Sequence, residues 1–236
     1  LSRGMMLGPP GMFEATTRLD VTVSLLPSAR PLKTRAQVHF HCWTAEMIVE
    51  VVLLEGKELS PGVRGYAQLR LKQPSLLLPG DRFIIRQLSP VVTMGGGVIL
   101  DNHPSKHRQG DPKVVPSLKL LEEEGPEPRL ELLAEQSGEA SLASLVARTG
   151  WPPEEVIRVA QRLEVDRRVR VLGFPPSVLV HQSYFGALAR NTDLPAPFTS
   201  HAMQRRGWNI FHWSGSVPSD GKFGSLRYRP YAVVAG

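Results

Sequence analysis

A single cysteine, Cys42, stands in 236 residues, so the chain cannot close an internal disulfide, and one lone thiol suits a reducing compartment. No uninterrupted apolar run approaches the ~20 residues that a membrane-spanning helix needs. The opening "LSRGMMLGPPG" has no apolar core of a secretory signal and no Met at position 1. These absences lead to the expectation of a cytoplasmic protein with no membrane partner. Nucleotide signatures are missing as well. "VVTMGGGVILD" (91–101) holds three consecutive glycines, but Gly95–Gly97 run into Val98-Ile99-Leu100-Asp101, without the Lys and hydroxyl of a phosphate-cradling loop. A dinucleotide fingerprint fails because the glycines precede a strand-like run instead of opening a helix. A zinc site lacks ligands: His39 and His41 share one strand face, but two ligands without a third make a poor site. The expectation is that the chain holds no catalytic residues, no cofactor and no metal.

What is present is positive charge and alternation. Lys and Arg number 28 against 22 Asp and Glu, a net +6, and such a balance favours polyanions, nucleic acid being the commonest. "RLDVTVSLL" sets Leu19, Val21 and Val23 against Arg18, Asp20, Thr22 and Ser24, the period of a half-buried strand. "AQVHFHCW" repeats the pattern with Val38, Phe40 and Cys42 inward. "MIVEVVLL", "GYAQLRLKQ" and "DRFIIRQL" follow between turn signals, and several short strands at this spacing predict a small barrel or sandwich. In that setting Gly95–Gly97 open the last strand, where missing side chains permit a bulge or close approach of another backbone.

From Asn102 to Pro128 the chain is polar and Pro-rich with mixed charge, which predicts a solvated linker with one short helix at Leu118 to Glu124. The period then becomes helical. "PRLELLAEQSG" stops at Gly138, and "SLASLVARTG" runs from Ser141 as N-cap to Gly150. "WPPEEVIRVAQRL" opens on prolines with Glu154 and Glu155 in its first turn, and Val156, Ile157, Ala160 and Leu163 form its apolar face. "RVRVLG" and "SVLVHQ" close the unit as a hairpin. This order is that of a winged helix-turn-helix. Glu154 and Glu155 on the third helix oppose phosphate approach, and Glu154–Arg158 at i,i+4 reads as helix support. Spacer module and direct nucleic-acid reader both stay open.

The wording of these segments resembles a known family. "SRGMMLGPPGMFEATTRLDVTVSLL" is similar to the crossing from the second to the third barrel of EF-Tu-type translation factors. "RPLKTRAQVHFHCWTAEMIVEVVLLEG" and "PGVRGYAQLRLKQPSLLLPGDRFIIRQLSPVVTMGGGVILD" resemble that third barrel's tRNA-facing hairpin and closing strands. "HFHCWTAE", "LLLPGDRFIIRQ" and "GGGVILDNHP" most resemble the selenocysteine-specific elongation factors. The resemblance implies a mainly β plus α+β chain: 1–17 the remnant of a second barrel, 18–102 an EF-Tu-like third-domain β-barrel, 103–125 a linker, 126–183 a winged-helix domain and 184–236 a divergent extension. It implies selenocysteinyl-tRNA, the ribosome and, through further winged helices, a selenoprotein mRNA hairpin as partners, with GTP and Mg held by an N-terminal GTPase domain that this sequence does not contain.

The tRNA contacts implied by matching position are Lys33, Thr34, Arg35, Arg86, Thr93, Gly95 and Gly96. Lys and Arg neutralise phosphates, and Gly amides can approach a sugar-phosphate backbone closely. On that reading Gly96→Ala leaves folding nearly intact while weakening tRNA binding, and Gly97 occupies a positive-φ bulge. The aromatic tail from Gly186, with Arg205, Arg206, Arg227 and Arg229, reads either as an RNA-stacking segment or as an unstructured extension. A different class, a winged-helix DNA-binding regulator with the barrel as effector domain, also accommodates a barrel joined to a winged helix.

Overall fold

The structure is a computed structural model that describes residues 4, 6, 8, 12–108, 110–173 and 176–185. The expectations for the tail from Gly186, and for most of residues 1–17, lie outside the described residues. Eight strands come first: β1 (Thr16–Leu25), β2 (Leu32–Lys33), β3 (Ala36–Cys42), β4 (Ala45–Leu53), β5 (Glu58–Leu59), β6 (Arg64–Ser75), β7 (Arg82–Arg86) and β8 (Thr93–Asp101). Six of them close an antiparallel barrel in the order β1-β6-β4-β3-β7-β8, and β2 pairs with β5 as a separate ribbon. Closure pairs both edges of every barrel strand and leaves none as a template for aggregation.

The alternation predicted for β1 and β3 sets the interior. Leu19, Val21, Val23, Phe40, Leu69, Ile85 and Ile99 are fully buried there, and the Phe40 and Phe83 rings stack tilted with centroids 5.1 Å apart. Burying each large side chain contributes about 1.5–3 kcal/mol relative to leaving it in water. The other side of β1 departs from the half-buried reading. Asp20, Thr22 and their neighbour Gln68 on β6 are also buried. For Asp20 and Gln68 the cause is the stretch read as a solvated linker, whose start lies on the barrel instead. Pro104 is buried, His103 and His107 are half-buried, and the Gln68 amide donates to the Ser105 carbonyl at 2.9 Å.

Beyond it, α1 spans Val114–Glu123, four residues earlier at its start than the short helix expected, with Pro116 in the first turn where its missing N–H is not needed. Val114, Leu118 and Leu121 are buried. Glu122 accepts the Tyr66 hydroxyl at 2.7 Å and pairs with Arg64. Burial raises the Tyr66 pKa, which keeps that hydroxyl a donor.

The remaining elements are α2 (Pro126–Ser137), β9 (Glu139–Ser141), α3 (Leu142–Thr149), α4 (Pro153–Val165), β10 (Val169–Leu172) and β11 (Val178–His181). The chain packs as two units, one formed by residues up to 129 with 143–152, the other by 130–142 with 153 onward. In the first, residues 143–152 join the barrel. Asn102 donates to the Leu77 carbonyl at 2.9 Å and to the Ala147 carbonyl at 3.0 Å, and Arg148 reaches Asp101 at 2.6 Å. Gly150 ends α3 at φ +72, its N–H on the Val146 carbonyl at 2.9 Å, a cap that a Cβ would strain.

In the second unit, β10-β11-β9 form a three-stranded sheet, so the expected hairpin gains a strand. Three residues between two helices carry too little alternation to be read as that strand. On α4, Val156, Val159, Ala160 and Leu163 are buried while Ile157 is half-exposed. Arg158 pairs with Glu155 at i,i+3, its Nε donating at 3.0 Å.

Candidate nucleic-acid interface

Strand directions bring the expected tRNA contacts together. β3 and β8 begin, and β7 ends, at the same end of the barrel, because His39 opposes Arg86 and Arg86 opposes Thr93. Leu25 opposes Gly95 and Leu53 opposes Ala67, so the loops after β1 and β4 open at that end too. Lys33, Thr34, Arg35, Arg86 and Thr93 therefore share one rim. Arg35 precedes β3 and Arg86 opposes its fourth residue, about 13 Å apart along an extended strand.

Each side chain there has a different freedom. Lys33 is exposed on β2, paired with Glu58. Arg35 is exposed and sits at φ +65, a left-handed conformation disfavoured for a branched-free but bulky residue, held by its N–H on the Val51 carbonyl at 2.6 Å. That fixed backbone aims the strand entry. Thr34 is committed to structure: its hydroxyl accepts the Leu53 N–H at 3.1 Å and its own N–H reaches the Lys57 carbonyl at 2.9 Å. Arg86 is half-buried, with one guanidinium N–H 3.5 Å from the Val91 carbonyl and Nε enclosed without a hydrogen-bond partner. Thr93 is exposed.

The glycines are different. Gly95, Gly96 and Gly97 are paired on both sides, to Leu25, Ser24 and Val23 of β1 and to Ile85, Ile84 and Phe83 of β7. Backbone groups in a doubly paired strand point at its neighbours, so these amides are turned toward β1 and β7. A Cβ on Gly95 would meet the Ser24 carbonyl, one on Gly96 the Phe83 carbonyl and one on Gly97 the Thr22 carbonyl, each closer than real Cβ contacts allow. The close backbone approach expected at these glycines is present, and the backbone is the barrel's own. Two expectations are corrected by this packing: Gly96→Ala cannot leave folding nearly intact, and Gly97 is not among the positive-φ glycines.

The sequence reading missed two cations on the same rim. Arg30 lies exposed in the loop after β1, and Lys57 is exposed where β5 pairs with β2. Neither sits in a motif; only the ribbon pairing brings Lys57 beside Lys33. Arg30, Lys33, Arg35, Lys57 and Arg86 face two exposed carboxylates there, Glu55 and Glu58, an excess of positive charge suited to a phosphate backbone. Exposed Leu26, Val63, Leu88, Val91 and Val92 lie among them.

Elsewhere, His39 and His41 stand on the outer face with ring centroids 6.3 Å apart, and among the described residues no group of three or more possible ligands could hold a metal. Cys42 is buried with Sγ 3.4 Å from the Arg82 carbonyl, and burial, with Asp81 nearby, pushes its pKa up to about 12. It reads as a small buried hydrophobe, not a reactive thiol.

A closed six-stranded antiparallel barrel followed by a helical region matches the architecture of an EF-Tu-like barrel domain. Residues 17–106 match the family described as "Selenocysteine-specific elongation factor, beta-barrel domain". A selenocysteine-specific elongation factor from Desulfomicrobium baculatum is 35% identical over 102 residues, 43% of this chain and 16% of that protein. A bacterial selenocysteine-specific elongation factor of known crystal structure superposes with a TM-score of 0.56 at 16% identity, covering 76% of this chain and 26% of its own. Residues 17–106 are thus similar to the β-barrel domain of selenocysteine-specific elongation factors, and the chain spans about a sixth of the length of that curated relative.

Proposed function

We propose that this chain is the tRNA-gripping part of a selenocysteine-specific elongation factor, which delivers selenocysteinyl-tRNA to the ribosome at UGA. The family match over residues 17–106 carries the reading. The rim formed by exposed Arg30, Lys33, Arg35 and Lys57 with half-buried Arg86 supports it, since backbone phosphates are what clustered cations neutralise. In this proposal the barrel holds the tRNA backbone. Residues 126–183, with their helix, strand, helix, helix and two strands, act as a winged-helix spacer in which Glu154 and Glu155 discourage a phosphate contact. GTP and Mg belong to another part of the protein, because this chain has no sequence that cradles a nucleotide's phosphates.

The test is a salt titration of tRNA binding to the Arg35→Ala, Arg86→Ala double variant. Removing two phosphate contacts should flatten the slope of log K against log salt by about 1.4–1.8 and weaken binding at low salt. An unchanged slope would remove both residues from the tRNA face.

A further inference from the structure

Residues 103–108 cross the outer face of β1 and β6, where Asp20 and Gln68 oppose each other in register. His107 Nε2 lies 2.5 Å from Asp20 Oδ2, and Gln68 Nε2 donates both to Asp20 Oδ1 and to the Ser105 carbonyl, each at 2.9 Å. Asp20 is 3% exposed in its side chain and His107 15%, so water does little to screen the pair. The same segment is anchored at its start by Asp101, whose Oδ1 accepts the His103 N–H at 2.9 Å. We propose that residues 103–108 form a pH-sensitive strap, fastened to the barrel by a protonated His107 on the Asp20 carboxylate and released when His107 loses its proton.

The surrounding charges all favour the fastened form at low pH. Asp20 on β1, Asp101 at the end of β8 and Asp111 after the strap set a negative field at His107. Burial alone would lower the His107 pKa, but the hydrogen bond and charge of Asp20, with Asp101 and Asp111 behind, raise it above 6.5. Burial pushes the Asp20 carboxyl up, opposed by His107 and Gln68. Arg148 answers Asp101 from the other side, and His103, its pKa lowered by burial, adds no positive charge at neutral pH. The sign follows from His107. Its folded pKa exceeds its free value, so its contribution is complete below about 6.5 and is lost as pH rises through the folded pKa. Release frees the stretch between β8 and α1, while α1 keeps its own contacts through Glu122 to Tyr66 and Arg64.

The experiment follows hydrogen exchange at the Ser105, Lys106 and His107 amides in the full chain from pH 5.5 to 9, corrected for intrinsic rates. The imidazole titration is read in parallel by nitrogen-15 NMR. Strap opening should rise about tenfold per pH unit from about pH 6.5 to the His107 midpoint and then level, while Val21 and Ile99 stay protected. His107→Gln should give an open strap with no pH dependence. A flat wild-type profile, or a slope that persists in His107→Gln, would overturn the strap. Should that variant fail to fold, the wild-type titration still decides, since a His107 midpoint at or below 6.5 contradicts the proposal.

Discussion

Gly97→Ala lowers the thermal midpoint of the barrel by about 10 °C or more, equivalent to a loss of about 3 kcal/mol. Gly→Ala in a strand ordinarily gains stability, by about 0.5–1 kcal/mol, because alanine loses less backbone freedom on folding. Here the sign reverses. The added methyl would meet the Thr22 carbonyl carbon at 2.8 Å and the Phe83 ring at 2.9 Å, so β1 must move or the ladder must open. Closure transmits that movement, since β1 also pairs with β6 across the barrel. Gly95→Ala and Gly96→Ala meet the Ser24 and Phe83 carbonyls and should destabilise in the same direction. Gly125→Ala is the control, its Cβ meeting nothing nearer than the Glu127 carboxylate at 3.8 Å. Differential scanning calorimetry on the four variants checks this, and a Gly97→Ala midpoint equal to that of Gly125→Ala would refute the packing role.

Arg148→Met should cost about 3 kcal/mol through a different mechanism. Arg148 and Asp101 are 13% and 5% exposed in their side chains and 2.6 Å apart. Methionine keeps most of the volume but leaves the buried Asp101 carboxylate with the His103 N–H and only the more distant charges of Arg129 and His107, and a buried charge that loses its direct partner is expensive. Adding Asp101→Asn should recover part of the loss, because the neutral amide still accepts from His103 and no longer needs a cation. Urea midpoints of the two single variants and the double give the coupling directly. A loss under about 1 kcal/mol for Arg148→Met would show that solvent reaches the pair.

The barrel was legible because its inward residues repeat every second position. Leu19, Val21, Val23, Val38 and Phe40 write their own face assignment into the chain. The outer burial of Asp20 and Gln68 was not legible, because the cover comes from residues 103–108, whose polar composition reads as linker. Only the register that sets Asp20 against Gln68 shows what Ser105 and His107 can reach. At the candidate interface, Lys33, Arg35 and Arg86 came from family resemblance, and strand direction puts them on one rim. Arg30 and Lys57 escaped because nothing local distinguishes a functional loop cation from a solubilising one. The glycines invited a ligand reading because "GGG" has the look of a backbone held open. Their neighbours turn out to be β1 and β7.

Binding of unmodified selenocysteine tRNA by the whole chain across a salt series tests the tRNA-gripping reading most directly. Saturable binding should weaken linearly in log K against log salt, with a slope no steeper than about −4.5 if the five rim cations are the contacts, at roughly 0.9 per phosphate. Binding that is absent at low salt, or that holds constant across the series, would contradict the account.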